Sequence, residues 1–318
     1  MLIYILFIVG FFLLIKGADC LVDGAVSIAK KLKIPSIVVG LTIVAFGTSS
    51  PELIVNIFAS CSGNTEIAIG NILGSNTSNI LLILGLSAIV YPLVTKKNTI
   101  WKEIPLSLLA AILLGIMASD TLIDGSSFSG LTRIDGLILL SFFVIFFYYI
   151  IEISKNGQED FNLDIKQLGY LRSILYIIGG LFCLVLGGKW IVDGAIKIAE
   201  VCNVNQSLIG LTIVAVGTSL PELATSVVAA YKKQTDIAVG NIVGSNIFNI
   251  FFILGISAII RPLPFMENFR IDIFMTIFAS LLLFIVMFVG KKHIIERWQG
   301  TFMIFVYVMY VVFLIIRK

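Results

Sequence analysis

The chain has 318 residues, 58% of them hydrophobic and 13% charged, with a formal charge of +3 and a mean hydropathy of +1.06. A soluble domain carries about twice that charged fraction, so a water-soluble globule is excluded. The 22 basic residues lie beside apolar runs rather than in one block, which argues for membrane orientation and against a nucleic-acid surface.

At ~20 apolar residues per crossing, this length holds about ten spans and no sizeable soluble domain. The first run, 2 to 30, opens with Met1-Leu2-Ile3-Tyr4 and lacks a basic n-region and a small-residue cleavage site, so it reads as a retained span. Runs at 37 to 60, 66 to 91, 102 to 119 and 132 to 153 follow. After a polar stretch come 170 to 200, 206 to 230, 236 to 260, 268 to 290 and 298 to 316. The first and sixth are long enough to cross at a tilt, and Lys16 and Lys189 within them must snorkel or face a polar interior. Cys20, Cys61, Cys183 and Cys202 are scattered through apolar surroundings and read as buried packing residues, while the lone His293 sits in a basic loop.

Alternate loops differ in charge. Lys30, Lys31, Lys33, Lys96, Lys97, Lys102, Lys155, Lys166, Arg172, Lys232, Lys233, Lys291, Lys292 and Arg297 fall on one side; Arg133, Arg261, Arg270, Arg317 and Lys318 fall on the other. The positive-inside rule makes the first set cytoplasmic and turns both termini outward.

The chain also repeats itself at an offset of 170 residues. Gly40-Leu41-Thr42-Ile43-Val44-Ala45-Phe46-Gly47-Thr48-Ser49-Ser50-Pro51-Glu52-Leu53 returns as Gly210 to Leu223, and Gly70-Asn71-Ile72-Leu73-Gly74-Ser75-Asn76-Thr77-Ser78-Asn79-Ile80 returns as Gly240 to Ile250. Across 40 to 90 against 210 to 260, 30 of 51 positions are identical without a gap, which marks a duplication. Five spans per half is an odd number, so the second copy enters from the opposite face. The expected fold is an all-α membrane protein of ten transmembrane helices in two inverted five-helix repeats, 1–154 and 170–318, joined by a short cytoplasmic linker, 155–169.

Glu52 and Glu222 lie in mid-span, where an ionisable group costs at least ~2.5 to 3.5 kcal/mol, and neither span offers a basic partner. A bound cation is the simplest counter-charge. Pro51 and Pro221, with Gly47 and Gly217, should break each helix and free carbonyls around Ala45, Thr48, Ala215 and Thr218. The hydroxyls of Thr48, Ser49, Thr218 and Ser219 lie close by, and Ser49 and Ser219 could alternatively cap the second half-helices. Asn71, Ser75 and Asn79 share one helical face, as do Asn241, Ser245 and Asn249. Asn79 and Asn249 are read as lining the site, Asn71 and Asn241 as interhelical glue. Oxygen ligands without sulfur or imidazole suit Ca²⁺ and Na⁺, and two negative charges balance one Ca²⁺ or two Na⁺. Mg²⁺, which dehydrates reluctantly, fits less well.

At Gly47-Thr48-Ser49-Ser50-Pro51-Glu52 and Gly217-Thr218-Ser219-Leu220-Pro221-Glu222 the sequence resembles the cation/calcium antiporter superfamily, specifically the prokaryotic sodium/calcium exchangers, and the likeness extends over the whole chain. The resemblance implies exchange of Na⁺ for Ca²⁺ by alternating access, three to one and electrogenic, with the first and sixth helices sliding outside the rest. It implies that Glu52 and Glu222 bridge a central Ca²⁺ site completed by the Thr48 and Thr218 carbonyls. Flanking Na⁺ sites would use the Ala45 and Ala215 carbonyls and the side chains of Thr48, Ser49, Ser75, Thr218, Ser219 and Ser245, with Asn79 and Asn249 lining the cavity. Some relatives, including potassium-dependent ones, carry Asp where Asn249 stands, which argues against potassium co-transport. The linker has no room for the Ca²⁺-sensing domains of animal exchangers; its Asp160 and Asp164 do not form an EF-hand pattern and are read as solvated.

The expectation is a multi-pass carrier of an inner cell membrane that works as a monomer, without a resident cofactor. H⁺/Ca²⁺ antiport on the same carboxylates is the first alternative, and a cation channel the remoter one. Intramembrane enzyme motifs are missing from the sequence. Asp23 and Asp193 are read as helix-end hydrogen-bonding groups.

Overall fold

Hydrocarbon offers no water to satisfy backbone N–H and C=O groups, so apolar runs of this length must close their hydrogen bonds as helices. A computed structural model describes residues 2–123, 125, 129–156, 168–201, 215–266 and 269–316. The expectations for Cys202, for 206 to 214, for Asp160, Asp164 and Lys166 in the linker, and for Arg317 and Lys318 lie outside the described residues.

The helices are α1 (Leu2–Leu32), α2 (Ser36–Thr48), α3 (Ser50–Ser62), α4 (Thr65–Val90), α5 (Thr99–Met117), α6 (Arg133–Asn156), α7 (Tyr170–Val201), α8 (Ala215–Thr218), α9 (Leu220–Tyr231), α10 (Thr235–Ile260), α11 (Phe269–Val286) and α12 (Arg297–Ile316). Among the described residues, eight of them are long and apolar enough to cross a membrane singly, and α2 and α3, bent by 47° at one break, meet the same measure of length and composition as a pair. The expected seventh span is described only from 215 onward, as α8 and α9, so the chain is a multi-pass helical membrane protein.

The two repeats interlock. α4 and α10 are 78% and 83% buried along their membrane stretch whereas no other single-helix span exceeds 39%, which puts these two at the centre. Short strands then join the halves at both ends of the bundle. β1 (Leu93–Val94) pairs antiparallel with β4 (Ile294–Ile295), Leu93 opposite Ile295; β2 (Gly130–Leu131) pairs with β3 (Leu263–Pro264), Leu131 opposite Leu263. Each pair takes one strand from each repeat.

α1 and α7 lie against each other along a glycine seam. Gly10, Gly17 and Gly24 recur every seven residues, a spacing that keeps one face toward a neighbouring helix. A Cβ added at Gly10 would stand 2.9 Å from the Gly187 carbonyl oxygen, and one at Gly17 2.9 Å from that of Gly180. Lys16 and Lys189 are exposed on the outer faces of these helices, so of the two expected options both take the snorkelling one.

Two expectations are corrected. The described cysteines are not fully buried packing residues: Cys20 and Cys183 are half-buried and Cys61 is exposed. In a membrane an apolar surrounding is as readily lipid as core. Asp23 is not a helix-end group; it sits within α1, where the Lys232 ammonium lies 2.6 Å from its carboxylate and 2.6 Å from that of Asp19. Asp193 is exposed on α7.

Candidate ion site

The breaks in the second and seventh spans fall at equivalent residues. Ser49 (φ −83°, ψ 9°) and Ser219 (φ −88°, ψ 6°) leave the helical conformation, and new helices begin at Ser50 and Leu220. Pro51 and Pro221 therefore occupy the first turn of α3 and α9, where the missing N–H has no partner to lose. The expected release of the Ala45 carbonyl does not occur: it still accepts the Ser49 N–H at 3.0 Å, because the helix holds through one more residue before it breaks. Ser49 and Ser219 make no side-chain cap; their hydroxyls turn instead to the acids of the opposite repeat.

Those acids are Glu52 and Glu222, both fully buried. The Ser49 hydroxyl donates to Glu222 Oε1 at 2.8 Å, and the Ser219 hydroxyl reaches Glu52 Oε1 at 3.3 Å. Ser75 also lies 3.3 Å from Glu52 Oε1 and 2.8 Å from the Ser219 hydroxyl. Ser245 donates to the Ala45 carbonyl at 3.5 Å. Lys232, the basic residue beyond the end of α9, is committed to Asp19 and Asp23.

A second layer of cross-repeat bonds supports these groups. Thr48 reaches Asn241 Oδ1 at 3.0 Å and Thr218 reaches Asn71 Oδ1 at 3.3 Å. The two asparagines also donate within their own repeats, Asn71 to Asn56 Oδ1 at 2.7 Å and Asn241 to the Ser226 hydroxyl at 2.9 Å. This is the glue role read from their spacing. Ala215 opens α8 at the place equivalent to Ala45.

Asn79 opens, and Asn249 is the second residue of, a helical stretch of wider, π-type turns, Asn79–Leu84 and Phe248–Leu254, a local geometry that recurs at functional sites. Their amide nitrogens donate across the repeat interface, Asn79 to Asn246 Oδ1 at 3.0 Å and Asn249 to Asn76 Oδ1 at 2.9 Å. Asn76 and Asn246 donate in turn to each other's backbone carbonyls at 3.3 Å. Among the described residues of this cluster, four buried acceptor oxygens are then left without a hydrogen-bond partner, in two pairs at equivalent positions: Glu52 Oε2 with Glu222 Oε2, and Asn79 Oδ1 with Asn249 Oδ1. Unpaired buried acceptors are costly and uncommon, and oxygens of this kind are the ligands hard cations take.

Sequence reasoning missed three residues. Asn76 and Asn246 repeat at the same offset as the glutamates, and that identity was the available signal. Glu103, a third buried carboxylate, accepts the Tyr149 hydroxyl between α5 and α6; it stands beside Lys102 at the edge of its apolar run and looks like a loop acid in sequence.

An acidic, oxygen-only cluster held between broken membrane helices is the architecture of ion-coupled secondary transporters. The chain belongs to the sodium/calcium exchanger protein family, whose model matches residues 2–152 and 172–316. It is 37% identical to the putative antiporter CaxA of Alkalimonas amylolytica over 320 residues, covering 98% of each chain. It is 32% identical to the sodium/calcium exchanger MaX1 of Methanosarcina acetivorans over 345 residues, again covering 98% of each. Among solved structures, the sodium-calcium exchanger NCX_Mj soaked with Na⁺ and Sr²⁺ superposes with a TM-score of 0.83 at 34% identity over 98% of each chain.

Proposed function

We propose that this chain is a secondary antiporter that exchanges Na⁺ for Ca²⁺. The observation that carries the reading is the set of four partnerless buried oxygens on Glu52, Glu222, Asn79 and Asn249. Two carboxylates match the charge of one Ca²⁺ or two Na⁺, so the ions compete for overlapping ligands, the condition for antiport through one site. Ca²⁺ sits between Glu52 and Glu222 with the carbonyls of Thr48 and Thr218. Na⁺ takes flanking positions at Thr48, Ser49 and Ser245 with the Ala45 carbonyl, and at Thr218, Ser219 and Ser75 with that of Ala215.

The full architecture is ten helices, monomeric, in the inner cell membrane with both termini outside. α1 and α7 slide along the central helices to expose the site alternately to each side; the glycine seam supports this by keeping the pair together as one body. Three Na⁺ per Ca²⁺ moves one net charge per cycle, coupled to voltage by about 2.3 kcal/mol per 100 mV.

The test is radiolabelled Ca²⁺ uptake by the purified, reconstituted protein under separately imposed Na⁺, K⁺ and H⁺ gradients. Uptake driven by the Na⁺ gradient and enhanced by a membrane potential of the matching sign is expected. Uptake on a pH gradient in Na⁺-free buffer would replace Na⁺ with protons as the coupling ion, and flux far above carrier turnover would make the protein a channel.

A further inference from the structure

We propose that Asn76 and Asn246, which hold no ion themselves, are positioning residues that decide which end of the Asn79 and Asn249 amides faces the ion site. This rests on the proposed antiport reading and assigns a residue pair to its selectivity.

A primary amide is nearly symmetric in shape and opposite in polarity at its two ends. Turned one way, Asn79 offers a cation an oxygen; turned the other way, it offers two N–H donors and repels it. The backbone fixes the choice. Asn76 Nδ2 lies 3.3 Å from the Asn246 carbonyl oxygen and Asn246 Nδ2 3.3 Å from that of Asn76. A peptide carbonyl can only accept, so both nitrogens must be where they are. That orientation leaves Asn76 Oδ1 and Asn246 Oδ1 pointing away as acceptors, and each draws the next amide's nitrogen: Asn249 Nδ2 at 2.9 Å and Asn79 Nδ2 at 3.0 Å.

The remaining ends, Asn79 Oδ1 and Asn249 Oδ1, are thereby forced to be oxygens, and both are buried without a partner. The ring crosses the repeat interface, so each half sets the polarity of a ligand carried by the other. All four asparagines are buried, where a lost hydrogen bond weighs more than it would in water.

The experiment is a double-mutant comparison in the full-length protein. Asn246→Ala removes the acceptor that holds the Asn79 nitrogen and should raise the apparent KM for Ca²⁺ about tenfold, the effect of one oriented hydrogen bond, with kcat changed less than twofold. In an Asn79→Asp background either end of the side chain is an oxygen, so adding Asn246→Ala should change KM less than twofold. Asn76→Ala with Asn249→Asp is the mirror test. Equal KM losses with and without the aspartate would overturn the proposal, because a merely structural role is not rescued by making the ligand symmetric. Failure of both alanine variants to fold would overturn it too, since the ring would then serve the fold.

Ca²⁺-dependent rise of the melting temperature in detergent is measured beside uptake for every variant. If the wild type takes up no Ca²⁺ on a Na⁺ gradient, antiport falls, while the same rescue pattern in the melting shift still decides the role of the amide ring.

Discussion

Replacing Glu52 by Gln alters the site at a single oxygen. Glu52 Oε1 is the atom that Ser75 and Ser219 approach at 3.3 Å, and the Gln carbonyl oxygen retains both contacts. Oε2, buried and without a partner, becomes an amide nitrogen that carries donors in place of a ligand. Removing one side of a buried charge pair costs about 3–5 kcal/mol, so Ca²⁺ affinity should fall by roughly two to three and a half orders of magnitude. In buffer free of both Ca²⁺ and Na⁺ the protein should respond in the opposite direction, because Glu52→Gln removes a buried carboxyl that has lost its metal counter-charge.

Thermal melting in detergent reads both effects. At a Ca²⁺ concentration about 100 times its Kd the wild type gains ~2.7 kcal/mol over protein in chelator, about 5 °C, whereas a variant with a 100-fold weaker Kd gains only ~0.4 kcal/mol. In chelator without Na⁺, Glu52→Gln should melt at or above the wild type. A variant that keeps the full Ca²⁺-dependent shift, or that melts several degrees lower in chelator, would refute the reasoning by showing that the acid serves packing.

Ser49→Ala should weaken Ca²⁺ binding about 10- to 100-fold, because the hydroxyl donates to Glu222 at 2.8 Å; Ser219→Ala should cost less, since Ser75 also reaches Glu52, and binding titrations of the pair would give the order. Gly17→Leu drives a side chain toward the Gly180 carbonyl, 2.9 Å from the added Cβ, and should destabilise by about 1–3 kcal/mol, seen as a lower melting temperature and yield. Lys232→Met breaks the contacts to Asp19 and Asp23, whose side chains are 42% and 43% exposed, so the loss should be about 1 kcal/mol and should vanish in 1 M salt. Cleavage at a protease site inserted between 157 and 167 should leave two fragments that co-purify, because the paired strands and central helices join the halves independently of that stretch.

The duplication made the overall plan readable: one offset placed both glutamates, both serines and the asparagine ladders at matching positions, and the structure brings Ser49, Ser75, Ser219, Glu52 and Glu222 together. The break falls at Ser49, within the stretch that Gly47 and Pro51 mark, but the Ala45 carbonyl keeps its helical partner because proline removes only the hydrogen bond at its own nitrogen and does not say which earlier carbonyl is freed. Asn76 and Asn246 escaped notice because a helical face says which residues neighbour one another, not which end of an amide points where. Cys20, Cys61 and Cys183 were misjudged because lipid and protein core are equally apolar, so hydrophobic surroundings cannot tell one from the other.

The strand pairs carry a consequence for biosynthesis. β1 ends at Val94 and its partner β4 begins at Ile294, so at ~5–20 residues per second the ribosome needs roughly 10–40 s to deliver the second strand after the first. Through that interval the nascent first half has an open strand edge, and Glu52 has Ser75 beside it but not yet the Ser219 hydroxyl of the second repeat. Final packing of the early spans therefore waits on the second half, whose strand and serine complete the interface.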